Sequence, residues 1–134
     1  VMERWIKAGH GSIAQLDAII AEVIDGETGH FPLLAAGWAP RIRIALRAAG
    51  AELLAREADG WTFLAEVAGR IELPNGIALR GRVDRLDRHA DGDLVVVDYK
   101  TGQPPAAARV RALEANQLAL GLALAAAGAL EQDG

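Results

Sequence analysis

The stretch GRVDRLDRHADGDLVVVDYKTG, residues 81–102, decides the fold of this chain. An Asp-Gly pair between two strand-like runs indicates a β-hairpin. The predicted strands are residues 77–88 and 93–100. Residues 94–97, LVVV, are apolar on both faces, which is typical of a strand covered on both sides. That strand nevertheless ends in Asp98 and Lys100, and charged groups at the tip of a buried strand need an explanation.

The register of this hairpin determines which charged groups meet. Alternation along a strand predicts that Asp98 and Lys100 share one face and that Tyr99 points to the other. If the loop is odd-numbered and centred on Asp91, Asp84 lies directly opposite Asp98, with Cβ atoms about 5 Å apart. A two-residue turn would shift the register and put Asp84 on the wrong face. A functional role for these residues therefore predicts an odd loop or a bulge.

Two carboxylates this close repel each other unless a cation lies between them. Oxygen ligands suit Mg²⁺ or Mn²⁺, and the backbone carbonyl of Tyr99 is a plausible further ligand. Such a metal polarises a phosphate oxygen and lowers the pKa of bound water. Lys100 would orient or deprotonate that water or neutralise developing charge. Taken alone, a D…D-x-K pattern in a hairpin is usually a structural salt-bridge cluster, here of Asp84, Asp98 and Lys100, and the surrounding sequence has to favour the functional interpretation.

Length and composition limit the class of protein. The 134 residues predict one domain, 1–134, with a helical part over 1–58 and a strand meander with an active-site helix over 61–127. The absence of cysteine excludes disulfides, a thiolate zinc site and an iron–sulfur cluster, and favours a reducing, cytoplasmic setting. No apolar run is long enough for a membrane span. The net charge of −4 argues against DNA binding through overall basicity but leaves a local basic groove open.

Periodicity and turn residues place the remaining elements. Ser12 is expected to cap a helix that ends at Asp25-Gly26, and Pro40 to begin a helix that runs to about residue 58. Further helices are predicted over residues 2–8, 31–38 and 114–127. Strands are predicted over residues 61–73, 77–88 and 93–100. This order of helices, a three-strand meander and a helix indicates an α/β (α+β) fold with an antiparallel pair at its centre.

Other polar residues have two interpretations each. Glu66 could hold metal or orient a ligand, or face solvent on an edge strand. Arg82 and Arg85 could contact phosphate, although surface charge is the better supported role, and Thr101 could position phosphate or end the strand. Three histidines in predicted loops have no partner at ligand spacing and are assigned no metal: His10, His30 and His89. One helix face could line a DNA path or be solvated: Arg41, Arg43, Arg47 and Arg56.

GRVDRLDR, the acidic Asp-Gly turn and LVVVDYKTG together resemble the central signature of the PD-(D/E)XK nuclease superfamily, in its RecB-like branch. The resemblance implies a restriction-endonuclease-like core, with Asp84 as the first metal-binding aspartate, Asp98 as the second acid and Lys100 as the lysine. NQLAL, residues 116–120, is similar to the following helix of that branch, which makes Gln117 the matching active-site glutamine. Gly121 stands where many members have an aromatic residue.

The pattern with Leu118 and Leu120 is closer to AddB-type subunits of helicase–nuclease complexes. VMERW at the amino end resembles a helix that begins with a G-x-x-x-H motif, whose histidine would precede Val1, so the chain is expected to be truncated at one or both ends. The resemblance implies a Mg²⁺-dependent, exonuclease-type deoxyribonuclease in double-strand break repair and recombination. Its partners would be a single-stranded DNA end and an AddA-type helicase subunit.

Two alternatives stay open. The fold could serve as a catalytically inactive DNA-guiding or scaffold module, which would bind no metal at the hairpin. The chain could also be a small helical protein-interaction domain with an incidental charged hairpin, which predicts the two-residue turn.

Overall fold

The computed structural model describes residues 1–100 and 116–132. Two compact units divide the chain, Val1–Trp61 and Thr62–Gly134. The helices are α1 (Met2–Lys7), α2 (Ile13–Thr28), α3 (Pro32–Ala58) and α4 (Asn116–Ala126). The strands are β1 (Trp61–Glu72), β2 (Ala78–His89), β3 (Leu94–Val97) and β4 (Leu130–Gln132). No helix in the described part of the chain is long and apolar enough to cross a bilayer.

The first unit is helical. Ser12 caps α2 as predicted, because its hydroxyl accepts a 3.2 Å hydrogen bond from the Gln15 amide. The apolar stripe of α2 is buried, with Leu16 and Ile20 almost fully covered, and Trp5 of α1 is also inaccessible. Gly50 lets α3 come close to α2, since a Cβ there would lie 2.3 Å from Leu16 Cδ2.

Two predicted helix boundaries in this unit are wrong. The helix α2 continues through Asp25-Gly26 to Thr28, because Gly26 does not adopt the positive φ with which glycine commonly ends a helix. The two helices predicted over residues 31–38 and from Pro40 onward are one helix, α3, with Pro32 in its first turn and Pro40 inside it. A proline can lie inside a helix at the cost of a backbone hydrogen bond, and Gly37, three residues earlier, does not adopt the positive φ with which glycine commonly ends a helix.

The second unit is a four-stranded antiparallel sheet in the order β3-β2-β1-β4, with α4 packed on β2 and β3. Both tight hairpins use a three-residue loop that ends in a glycine with positive φ, Gly76 at +79° and Gly92 at +103°. In the second hairpin the His89 amide bonds the Asp93 carbonyl at 2.9 Å, leaving Ala90 to Gly92 as the loop. The loop between β2 and β3 is therefore odd-numbered, as the functional interpretation of Asp84 and Asp98 predicted.

The third strand is shorter than predicted. It covers Leu94–Val97, and residues 98–100 lie beyond it rather than inside it. The physical reason is local, since the Tyr99 amide donates to the carboxylate of Asp84 instead of to a strand carbonyl. His89, which was predicted to be in a loop, is instead the last residue of β2.

The fourth strand was not predicted. The segment after α4 pairs with β1 in the register Val67↔Gln132, Ala68↔Glu131 and Gly69↔Leu130. Gly69 is required for this approach, because a Cβ there would lie 2.5 Å from the Ala129 carbonyl oxygen. The sheet core beneath α4 consists mainly of aliphatic residues: Val67, Val83, Leu86, Leu124, Ala125 and Leu130.

Candidate active site

The hairpin of β2 and β3 brings two aspartates together. The last paired residues are Arg85 and Val97, and Asp84 and Asp98 follow one position further out on each chain segment. Opposite positions of this kind are cross-strand neighbours. The odd loop thus gives the register that the sequence required for Asp84 to meet Asp98.

A direct contact fixes this arrangement. The backbone amide of Tyr99 donates a 2.7 Å hydrogen bond to Oδ2 of Asp84. A carboxylate that accepts from an amide makes a charge-assisted bond, which is stronger than the bond between two neutral groups. Asp84 therefore anchors residues 98–100 just beyond the point where the ladder of β3 ends.

Lys100 connects the second aspartate to α4. Its ammonium nitrogen Nζ lies 2.6 Å from Oδ2 of Asp98 and donates a 3.1 Å hydrogen bond to Oε1 of Gln117. Asp98 is mostly covered, with 18% of its side chain exposed, whereas Lys100 is 42% exposed and Gln117 lies in the first turn of α4. The four residues predicted as catalytic, Asp84 included, therefore lie in one connected cluster.

The directions of the side chains agree with strand alternation. Asp98 and Lys100 contact each other, while the Tyr99 side chain points elsewhere and its hydroxyl accepts a hydrogen bond from Arg85. Two carboxylates and one ammonium leave the cluster with a formal charge of −1, which suits a cation. The donor set consists of oxygen atoms, the ligand type that Mg²⁺ and Mn²⁺ prefer.

Glu66 belongs to β1, the strand that neighbours β2 in the sheet. Its Oε1 is 3.9 Å from Nη1 of Arg82, and its backbone has a φ of +50°, which is uncommon for a residue other than glycine. Among the residues that the structure describes, no three His, Cys, Asp or Glu side chains form a group that could hold a metal ion. The described residues thus bring together Asp84 and Asp98 but do not add Glu66 as a third carboxylate, and a metal-binding role for Glu66 stays a prediction.

The interpretation of Arg85 as surface charge is wrong. Arg85 is only 6% exposed and forms a two-point ion pair with Asp87, which is fully buried. Its Nε donates to Asp87 Oδ1 at 2.7 Å, and its Nη2 donates to Asp87 Oδ2 at 3.1 Å. Its third donor, Nη1, bonds the Tyr99 hydroxyl at 2.7 Å. The available signal was the i, i+2 spacing of Arg85 and Asp87, which puts both side chains on one face of β2. Arg82, in contrast, is 58% exposed.

Burial and neighbouring side chains shift the pKa values of Arg85 and Tyr99. Burial alone lowers the pKa of Arg85, but the hydrogen bond to Asp87 and the interactions with Tyr99 and the Asp87 carboxylate outweigh it and raise the pKa. Burial also raises the pKa of the Tyr99 phenol, against the opposing effect of the Arg85 guanidinium. Both groups therefore keep their protons at neutral pH.

Two of the histidines and two of the helix arginines named in the sequence lie against other side chains. Thr101 lies outside the described residues, so its predicted role is untouched by the structure. Nε2 of His10 lies 3.2 Å from Glu57, and Nδ1 of His89 lies 2.6 Å from Asp91. In the helical unit Arg47 pairs with Asp17 at 3.2 Å, and the Arg56 guanidinium lies 4.1 Å from the centre of the Trp61 ring.

Fold and site together define a class, a mixed helix-and-sheet protein whose antiparallel hairpin presents the D…D-x-K pattern next to a glutamine on the following helix. Comparison with models of protein families matches residues 1–134 to the PD-(D/E)XK nuclease superfamily. The chain belongs to this superfamily. The comparisons with curated proteins and with solved structures gave no match.

Membership confirms the mixed fold class and the superfamily resemblance. It indicates nuclease activity, and enzymes of this superfamily typically use divalent metals. The finer assignments, to the RecB-like branch and to AddB-type subunits, go beyond the family match and are taken up below.

Proposed function

We propose that this chain is a Mg²⁺- or Mn²⁺-dependent nuclease domain that hydrolyses DNA phosphodiester bonds. The observation that supports this function most directly is the contact chain from Asp98 through Lys100 to Gln117, next to Asp84. A salt-bridge cluster without a catalytic role needs no glutamine from a separate helix. Superfamily membership adds independent support.

The residues present fit a divalent metal. Mg²⁺ in phosphate-processing sites is commonly bound through one or two carboxylates, with water and substrate phosphates as the other ligands. Asp84 and Asp98 would supply the carboxylates and the Tyr99 carbonyl a further oxygen. When bound, the ion would polarise a phosphate oxygen and lower the pKa of water.

The chain's own groups would act around that ion. As an ammonium, Lys100 would orient the attacking water or neutralise charge on the phosphate, and in its neutral amine form it would accept the proton of that water. Gln117 accepts a hydrogen bond from Lys100 and so restricts where Nζ can lie. The Tyr99 amide holds Asp84, and this contact keeps the two aspartates in register.

The test is cleavage of single-stranded DNA with Mg²⁺ by the full-length protein. Lys100→Ala should lower kcat about a hundredfold or more, the range for losing a group that assists proton transfer. Lys7→Ala is a matched control, because Lys7 and Lys100 have equally exposed side chains, 42% each, and both pair with an acid. Asp98→Ala should inactivate, with Asp17→Ala as its control. Cleavage by Lys100→Ala and Asp98→Ala at the rate of the wild type and the control variants would refute the nuclease assignment.

The finer proposal concerns the biological context. The similarity of NQLAL and VMERW to AddB-type subunits supports a role in double-strand break repair and recombination, as an exonuclease-type domain partnered by an AddA-type helicase. Co-purification with such a helicase, and ATP-dependent resection from a DNA end, would test this. A protein that cleaves DNA but neither binds the helicase nor resects would refute the context while leaving the nuclease assignment intact.

A catalytically inactive DNA-guiding module is the second candidate. It is favoured by the observation that the described residues group only two carboxylates, with one oxygen of Asp98 already against Lys100. Calorimetric titration with Mn²⁺ separates the two functions. A nuclease should bind the ion and lose binding in Asp84→Asn, whereas an inactive module should bind DNA but no metal.

A further inference from the structure

A buried ion pair lies on β2, directly after Asp84 in the sequence. Arg85 and Asp87, on neighbouring same-face positions of β2, are joined by two hydrogen bonds and are 6% and 0% exposed. Charged side chains are seldom covered to this degree unless they are paired. The pair is outside the set of residues that hold metal or assist water in the proposed function.

Stability alone does not account for such a pair. The cost of removing two charges from water is commonly as large as their attraction, so apolar residues of similar volume often replace a buried ion pair without loss of stability. What an apolar pair could not supply is a hydrogen-bond donor. Arg85 has donors left over, and one on Nη1 is directed at the Tyr99 hydroxyl at 2.7 Å.

The guanidinium also touches two aromatic rings. Its central carbon is 5.5 Å from the Tyr99 ring centre and 5.7 Å from the Phe63 ring centre, both within cation–π range. Asp87 accepts hydrogen bonds from Nε and Nη2 of Arg85 and so orients the planar group. Tyr99 is therefore held from its hydroxyl and from its ring.

Tyr99 has no strand ladder to hold it, because β3 ends at Val97. Its side chain is held by Arg85, and its amide bonds Asp84. The residues on either side of it, Asp98 and Lys100, are those that contact each other in the cluster. A displacement of Tyr99 would therefore move both charged groups at once.

We propose that Arg85 and Asp87 are positioning residues, which hold the Tyr99 side chain and thereby fix Asp98 and Lys100 relative to Asp84. The catalytic consequence rests on the proposed nuclease function, whereas the mechanical part does not. Misplacement by about 1 Å can cost roughly a hundredfold in rate, so such a pair would matter without touching substrate.

The test uses two variants of the full-length protein. Arg85→Met/Asp87→Leu replaces both charges with apolar groups, and Tyr99→Phe removes only the hydroxyl that Arg85 contacts. Two quantities are measured in each variant, kcat and KM for DNA cleavage, and hydrogen exchange of the residue 99 amide by NMR. The amides of Leu86 and Val96, which are paired within the hairpin, report whether the sheet is intact.

We expect the exchange of amide 99 to become about tenfold faster or more, as for the loss of a hydrogen bond to a charged group. Amides 86 and 96 should keep their protection. The kcat should fall about ten- to a hundredfold while KM stays within about twofold, because a positioning defect acts on the reacting groups rather than on DNA binding. A purely structural pair predicts wild-type kcat and wild-type exchange at residue 99 in the apolar double variant.

Wild-type values of both quantities in the two variants would overturn the proposal. If the double variant loses protection throughout the sheet, the kcat and the amide 99 exchange of Tyr99→Phe decide whether the proposal holds. If the wild-type protein cleaves no DNA, the proposed nuclease function fails. The exchange of amide 99 still decides whether Arg85 and Asp87 position residues 98–100.

Discussion

The backbone amide of Tyr99 donates a 2.7 Å hydrogen bond to the carboxylate of Asp84, fifteen positions earlier in the sequence. This contact exists only because the intervening loop has three residues, closed by the 2.9 Å bond between the His89 amide and the Asp93 carbonyl. Hairpin loop length sets strand register, and register decides which groups are neighbours. The positions of Asp84 and Asp98 relative to each other are thus determined by a loop that contains neither of them.

Deleting one valine from β3, for example Val95, should separate this geometry from the fold. The loop keeps its three residues, but Asp98 moves one position along the hairpin and comes opposite Arg85 instead of Asp84. The sheet should tolerate the deletion because the residues of β3, LVVV, are all apolar. We expect a folded protein by circular dichroism and a loss of nuclease activity of about a hundredfold or more. Val95→Ala keeps the strand length and serves as the control. A deletion variant with normal cleavage would contradict the importance of register.

Gly121 sits where α4 meets the sheet. A Cβ at this position would lie 2.7 Å from Val83 Cγ1 and 3.1 Å from Val96 Cγ1, and valine is stiff about χ1. Gly121→Ala should therefore destabilise the protein by about 1–3 kcal/mol in urea unfolding. Gly37→Ala is the control, since nothing lies within 4 Å of its Cβ, and it should stabilise α3 by about 0.5–1 kcal/mol. If both substitutions stabilise the protein, the close packing of α4 is not as described.

Removing one member of the buried pair should be far more costly than replacing both. Asp87→Ala leaves the Arg85 guanidinium buried without its carboxylate, which should cost about 3–5 kcal/mol of unfolding free energy. The comparison is Glu3→Ala, which breaks the exposed 2.9 Å pair with Lys7 and should cost less than about 1 kcal/mol. Chemical denaturation of the two variants measures this difference. Similar losses in both would show that burial of the Arg85 pair has no energetic consequence.

Pro40 lies inside α3 and lacks the amide that a helix interior uses. Pro40→Ala should restore one backbone hydrogen bond and raise the stability of the helical unit by about 1–3 kcal/mol. Pro32→Ala should change stability little, because a proline in the first turn replaces an amide that has no helical partner. Hydrogen exchange of the α3 amides measures both effects. A loss of protection in Pro40→Ala would mean that the proline is required where it is.

The hairpin of β2 and β3 was predictable from sequence because its signals are local. Asp91-Gly92, the apolar LVVV run and the alternation of Asp98, Tyr99 and Lys100 all lie within ten residues. Gly92 even indicates the loop type, since the third position of such a loop takes a positive φ. The register that puts Asp84 and Asp98 at opposite positions, one step beyond the pair Arg85 and Val97, then follows from counting.

What could not be predicted depends on contacts between distant segments. β4 has three residues, too few for an alternating pattern, and becomes a strand only through pairing with β1. Arg85 looks like surface charge until the Tyr99 hydroxyl and the Phe63 ring are brought over it. The full length of α3 was not predicted because Pro40 indicated the start of a new helix. The helix-forming residues on both sides of Pro40 instead keep α3 continuous.

The pairing of β4 with β1 has a consequence for the order of folding. The strands β1, β2 and β3 are joined by short loops, so their contacts can form early at low entropic cost. Gly69 and Leu130, in contrast, are about sixty positions apart and must close a large loop. We therefore expect the outer edge of β1 to stay unpaired in the nascent chain until Leu130–Gln132 has been synthesised. During that interval the chain exposes an open sheet edge on which a second chain can add, and aggregation is most to be expected there.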